Sequence, residues 1–157
     1  MEKLFFFVIA VGLVVGLALP GSRAGNAPHR VETPSEPPHD TVIEMTGGGT
    51  FYTYAKVNGQ LVKFVVDTGA TVVALSEDDA ERAGVRFDPA LFTIVGRGAS
   101  GPIRGEAVTI DSIELDGKLV HDIEAMVVED SSGSLLGQSY LSHLSEVQMR
   151  GSTMVLR

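Results

Sequence analysis

The chain has no cysteine and no tryptophan, and its 12 lysines and arginines form no run. Without cysteine there is no disulfide framework, no thiolate metal site and no thiol nucleophile. Scattered cations on a chain of net charge −8 do not build the clustered positive surface that holds phosphates, so nucleic acid is not an expected partner. Histidine is sparse as well. His29, His39, His121 and His143 show no metal-site spacing, so neither a metal nor an organic cofactor is expected. No internal repeat is present, and 157 residues suit one core better than two.

What is present divides into three parts. Residues 1–24 carry an uncharged apolar run from Leu4 to Leu19 between Lys3 and Arg23. It reads either as a signal peptide, with Ser22-Arg23-Ala24 as a small-x-small cleavage site, or as a membrane anchor close to the roughly 20 residues a bilayer needs. Either reading puts the rest of the chain outside the cytoplasm or tethered to a membrane. Residues 25–47, with Pro28, Pro34, Pro37 and Pro38, read as an extended linker. Residues 48–157 read as the folded domain.

That domain is a succession of short strands and tight turns. Asn58-Gly59 between Phe51–Val57 and Gln60–Val66, and Asp116-Gly117 between Ile113–Leu115 and Leu119–Val128, are hairpin signals. Within Leu119–Val128, alternation puts His121 on one face with Leu119 and Ile123, at the core or its rim. Ser76 followed by Glu77, Asp78 and Asp79 caps a short helix that should stop at Gly84. Phe92–Val95 and Ile103–Ile110 enclose a glycine-rich loop, Gly96-Arg97-Gly98-Ala99-Ser100-Gly101. Tyr140–Leu144 reads as one or two helical turns, and strands close the chain at Glu146–Met149 and Thr153–Leu156. The expected architecture is mostly β, a small closed barrel with one or two short helices.

The chemistry concentrates in Phe64-Val65-Val66-Asp67-Thr68-Gly69-Ala70. An ionisable residue ending a strand of valine and phenylalanine is unusual, and Gly69 allows close backbone approach or a positive φ where a side chain would clash. Downstream stand the glycine-rich loop and then Leu135-Leu136-Gly137. Taken in order from Gly48 onward, this set resembles the retropepsin-like aspartic proteases, especially single-domain, membrane-associated bacterial ones.

The resemblance implies one acid-protease lobe per chain and a homodimer that hydrolyses polypeptide. Asp67 would be catalytic, with Thr68, Gly69 and Ala70 supporting it. Residues 96–101 would be the substrate-binding flap. Leu135, Leu136 and Gly137 would pack beneath the catalytic loop, and Thr153–Leu156 would interleave in the dimer. Peptide hydrolysis by this route needs two carboxylates sharing a proton, and only one Asp-Thr-Gly exists here. The second must come from another copy. The family's acidic residue after Asp-Thr-Gly-Ala is Thr71 here, and its charged pair after the late glycine is replaced by Gln138 and Ser139. The other reading of the same residues is a non-catalytic peptide- or protein-binding module of the same fold.

Overall fold

A computed structural model describes residues 33–98 and 101–157. Segment 1–24, the linker as far as residue 32, and Ala99 and Ser100 of the expected flap lie outside the described residues. Among the described residues no helix is long and apolar enough to cross a membrane.

In chain order the elements are β1 (Thr41–Glu44), β2 (Tyr52–Val57), β3 (Gln60–Val66), β4 (Val73–Ser76), α1 (Glu77–Arg82) and, after a 3-10 turn at Pro89–Leu91, β5 (Thr93–Gly98). They continue as β6 (Gly101–Leu115), β7 (Lys118–Val128), β8 (Ser134–Leu136), α2 (Gln138–Leu141), β9 (Val147–Arg150) and β10 (Thr153–Leu156). The larger sheet runs β2-β3-β8-β4-β7-β6-β5. Pairing of Lys56 with Glu114 and of Val57 with Ile113 joins β2 to β6, so six strands close into a barrel and β5 hangs from its side. The protein is therefore a mostly β, closed barrel with two short helices, as the turn chemistry implies.

Local causes are visible at each corner. Both hairpin turns take positive φ at their two central residues, Asn58 and Gly59, Asp116 and Gly117, the conformation that matches the twist of the flanking strands. Ser76 caps α1 by accepting from the Asp79 N–H at 3.2 Å, and Gly84, at φ +66°, follows the helix end. Alternation then fills the barrel. Val62, Phe64 and Val66 of β3 point inward to meet Leu75, Ile110, Ile123, Val127 and Leu136, all buried. A buried polar link also ties α1 to β8. Asp79 accepts from the Ser134 hydroxyl at 2.5 Å, and Ser134 in turn accepts from the Ser76 N–H at 3.1 Å.

Three expectations change. Thr41–Glu44, read as the end of the linker, is a strand, with Thr41 and Ile43 buried against β10; the folded unit begins before Gly48. Four residues carry little local signal, and these become a strand only through a partner more than a hundred positions away. Gly96–Gly98 is not loop but strand, since Gly96, Arg97 and Gly98 pair with Ile103, Pro102 and Gly101. His121 is exposed. Asp122, at φ 53°, shifts the alternation of β7, so Val120 opposite buried Ile113 takes the inward place instead of Leu119 and His121.

Candidate active site

Two parallel strands, β3 and β8, lie side by side, and β8 sits between β3 and β4. The chain leaving β3 must therefore cross the end of β8 before it can enter β4. That crossing, residues 67–72, carries the Asp-Thr-Gly. Its geometry follows from where its backbone groups can be satisfied. Asp67 donates its N–H to the Leu136 carbonyl at 3.1 Å, and Ala70 donates to the Asp67 carbonyl at 3.2 Å. From below, Gln138 and Ser139 donate their N–H groups to the carbonyls of Ala70 and Thr71 at 2.9 and 3.0 Å.

Within this frame the Asp67 carboxylate is half-buried, and its Oδ1 accepts from the Gly69 N–H at 2.9 Å. A β-carbon on Gly69 would lie 3.3 Å from that same oxygen. Of the two reasons for a glycine here, close approach is the one that applies; Gly69 is not among the positive-φ glycines. Thr68 and Gly69 form an exposed tip, while Ala70 is buried. Leu136 is fully buried beneath the loop and Leu135 is half-buried beside it. Gly137 is the tightest point: a β-carbon there would meet the Val72 carbonyl oxygen at 2.2 Å and that of Ala70 at 2.9 Å.

Two contributors were not foreseen as such. Gln138 and Ser139 occupy the position of the absent charged pair, yet both hold the loop by their side chains. Gln138 Nε2 donates to the Thr68 carbonyl at 2.8 Å, and Ser139 Oγ accepts from the Val73 N–H at 2.9 Å. Their place directly after Gly137 was the available signal; a polar pair there has the crossing loop within reach.

A narrow cleft opens beside the loop. Ala70, Thr71, Val72 and Ala74 form one wall, Val95, Gly96 and Ile103 of the β5–β6 hairpin the opposite one, and Met126, Val128 and Leu135 the floor. Its lining is almost wholly apolar, suited to a hydrophobic side chain of a ligand. The β5–β6 hairpin thus overhangs the cleft at its base. The remaining expected flap residues are Arg97, Gly98 and Gly101; they pair toward its tip, and Gly101 has φ +124°.

Among the described residues, one cluster elsewhere has metal-ligand chemistry: atoms of Glu36, His39 and Asp116 lie within 4.8 Å of one another. Asp116 already accepts from the Thr41 hydroxyl at 2.6 Å, and Lys118, held by the His39 carbonyl and the Thr41 hydroxyl, stands beside it. The ammonium supplies the positive charge there.

Comparison with known proteins agrees with the loop. The family model described as "gag-polyprotein putative aspartyl protease" matches residues 53–143, from β2 through the Asp67 loop to just beyond α2. The chain belongs to the retropepsin-like aspartic protease family. Among solved structures it is similar to a retropepsin-like aspartic protease from Rickettsia conorii, with 29% identity and a TM-score of 0.62, over 75% of this chain and 89% of that one. It is 35% identical to an uncharacterized protein encoded in the cobV 5′ region of Sinorhizobium sp, over 85% of this chain and 59% of the relative. It is 26% identical to an uncharacterized protein of Rickettsia prowazekii (strain Madrid E), over 74% of this chain and 51% of the relative. The chain therefore spans little more than half the length of these curated relatives.

Proposed function

We propose that this retropepsin-like chain is an aspartic endopeptidase whose active site forms when Asp67 of two copies meet across a two-fold axis. The observation that carries this reading is the presentation of Asp67: an anchored carboxylate beside an exposed Thr68-Gly69 tip, next to an apolar cleft overhung by a hairpin. An acid so held suits a partner acid better than a purely structural task.

The chemistry needs one proton on the pair, because two like charges a few ångströms apart do not both ionise. The ionised carboxylate takes a proton from water as the water oxygen bonds to the peptide carbonyl carbon. The protonated acid gives its hydrogen to the carbonyl oxygen. The tetrahedral diol then collapses: the C–N bond breaks, the leaving nitrogen takes the proton of the protonated acid, and a diol hydroxyl gives its proton to the ionised one as the new carbonyl forms, so the pair again holds one shared hydrogen. The Thr68 hydroxyl would bond across the axis, and Leu135, Leu136 and Gly137 would support the loop from beneath. The edge of β5 and the hairpin tip, residues 96–101, would hold extended substrate as an added strand. Residues 1–24 would export or tether the domain, and tethering would raise the local concentration of copies.

The test is digestion of unfolded protein by the full chain, with and without a pepstatin-type inhibitor, across mildly acidic to neutral pH. Wild type should cleave, and Asp67→Asn should remain folded and dimeric without cleaving. A demonstrated dimer that releases no products at any pH would instead establish the binding module.

A further inference from the structure

The acidic residues are unevenly spread. The chain carries 20 of them, yet none falls between Glu44 and Asp67, the stretch that forms the β2–β3 hairpin. Alternation gives that hairpin two opposite faces. Ala55, Val57, Val62, Phe64 and Val66 are buried in the barrel. On the outer face Tyr52, Tyr54 and Lys56 of β2 stand opposite Val65, Lys63 and Leu61 of β3. Tyr52, Tyr54 and Leu61 are 39%, 57% and 59% exposed. The Lys63 ammonium lies 4.3 Å from the centre of the Tyr52 ring, and Lys63 is in no salt bridge among the described residues.

Tyrosine, leucine and lysine side by side suit a membrane–water boundary better than bulk water. Tyrosine rings settle at headgroup depth, while lysine lays its methylenes along apolar surface and keeps its ammonium among the phosphates. A carboxylate on the face would oppose such contact, and neither strand carries one.

The path of the chain points to what covers this face. The N-terminal apolar run ends at Leu19. Among the described residues the chain is first pinned at Ser35. Its N–H and hydroxyl donate to Glu114 at 2.7 and 2.6 Å, and the hydroxyl accepts from the Lys56 ammonium at 2.8 Å. Beyond it, the backbone of Glu36 and Pro37 lies against the Gly117 turn. A tether held in a bilayer therefore pulls on the barrel at Ser35, beside Lys56, the cross-strand partner of Leu61. The residues between Leu19 and Ser35 reach at most about 50 Å. So short a tether keeps the hairpin face at high effective concentration over the lipid.

We propose that the outer face of the β2–β3 hairpin docks on the lipid bilayer, with Tyr54 and Leu61 in the interface and Lys63 on headgroup phosphate. This rests on the reading of residues 1–24 as a tether and is independent of the role given to Asp67. The occupant is lipid because the tether enters the barrel at the edge of this same face.

The absence of native cysteine makes the test direct. The full chain is inserted into vesicles of phosphatidylcholine and phosphatidylglycerol, with a fluorophore on Leu61→Cys. The control carries it on Leu91→Cys, equally exposed at 59% in the turn before β5. Brominated lipid should quench the label at position 61 at least fivefold more than the label at 91. Adding Lys63→Glu to the Leu61→Cys chain should bring quenching down to the level at 91, with the circular dichroism unchanged. A chain that floats with the vesicles but is quenched equally at both positions overturns the docking and leaves the tether. A label at 61 shielded from aqueous iodide yet not quenched by lipid means that a protein covers the face, which also overturns it. Quenching unaffected by Lys63→Glu overturns the phosphate contact. A chain that does not float with the vesicles overturns tether and docking together.

Discussion

The carbonyl of Val72 passes so closely over Gly137 that a β-carbon there would sit 2.2 Å from its oxygen. Glycine at this position is a packing requirement, since Gly137 is not among the residues with positive φ. The loop that carries Asp67 and the strand end beneath it are one piece, and neither can move without the other.

Gly137→Ala should therefore cost stability and activity together. The obstructing atom is backbone, tied to neighbours on both sides, so overpacking should destabilise by about 3 kcal/mol. Urea unfolding should show a lower midpoint with unchanged slope. Refolded protein should cleave at least tenfold more slowly than wild type.

Gln138→Ala separates the two quantities. Its amide is exposed and makes a single bond to the Thr68 carbonyl, so stability should fall by only about 1 kcal/mol. Loop position matters more to a reacting carboxylate than to the core. kcat should drop about tenfold, equivalent to about 1.4 kcal/mol, with KM nearly unchanged.

Glu114 couples acidity to the segment ahead of β1. Burial alone would raise its pKa. Hydrogen bonds from the Ser35 N–H at 2.7 Å and hydroxyl at 2.6 Å, with the Lys56 ammonium at 3.7 Å, outweigh burial and hold it below the ordinary carboxylate value. A lowered folded value means that the stabilisation is fully present above the unfolded value of about 4.3 and is lost as pH falls through the folded one. Below about pH 4, hydrogen exchange at Ser35 should accelerate, and Glu114→Gln should show that faster exchange already at neutral pH.

Much of the barrel is written locally. Asn58-Gly59, Asp116-Gly117 and the Ser76 cap each determine their own geometry within a few residues, so the hairpins and α1 stand where the sequence puts them. The motif Asp67-Thr68-Gly69 is equally compact. What escapes local reading is pairing at long range: β1 with β10, and β3 with β8 in parallel. The same holds for Gln138 and Ser139, whose hydrogen-bond partners lie some 70 positions upstream. Face assignment failed where one residue of positive φ, Asp122, broke the alternation.

The threading of β8 between β3 and β4 has a consequence for synthesis. Asp67 leaves the ribosome long before Leu135, Leu136 and Gly137 exist, and until they arrive its loop has no floor. A chain interrupted before that point would carry the acid but not its support. Whatever chemistry the finished molecule performs is withheld from its own nascent forms by the order in which the residues are made.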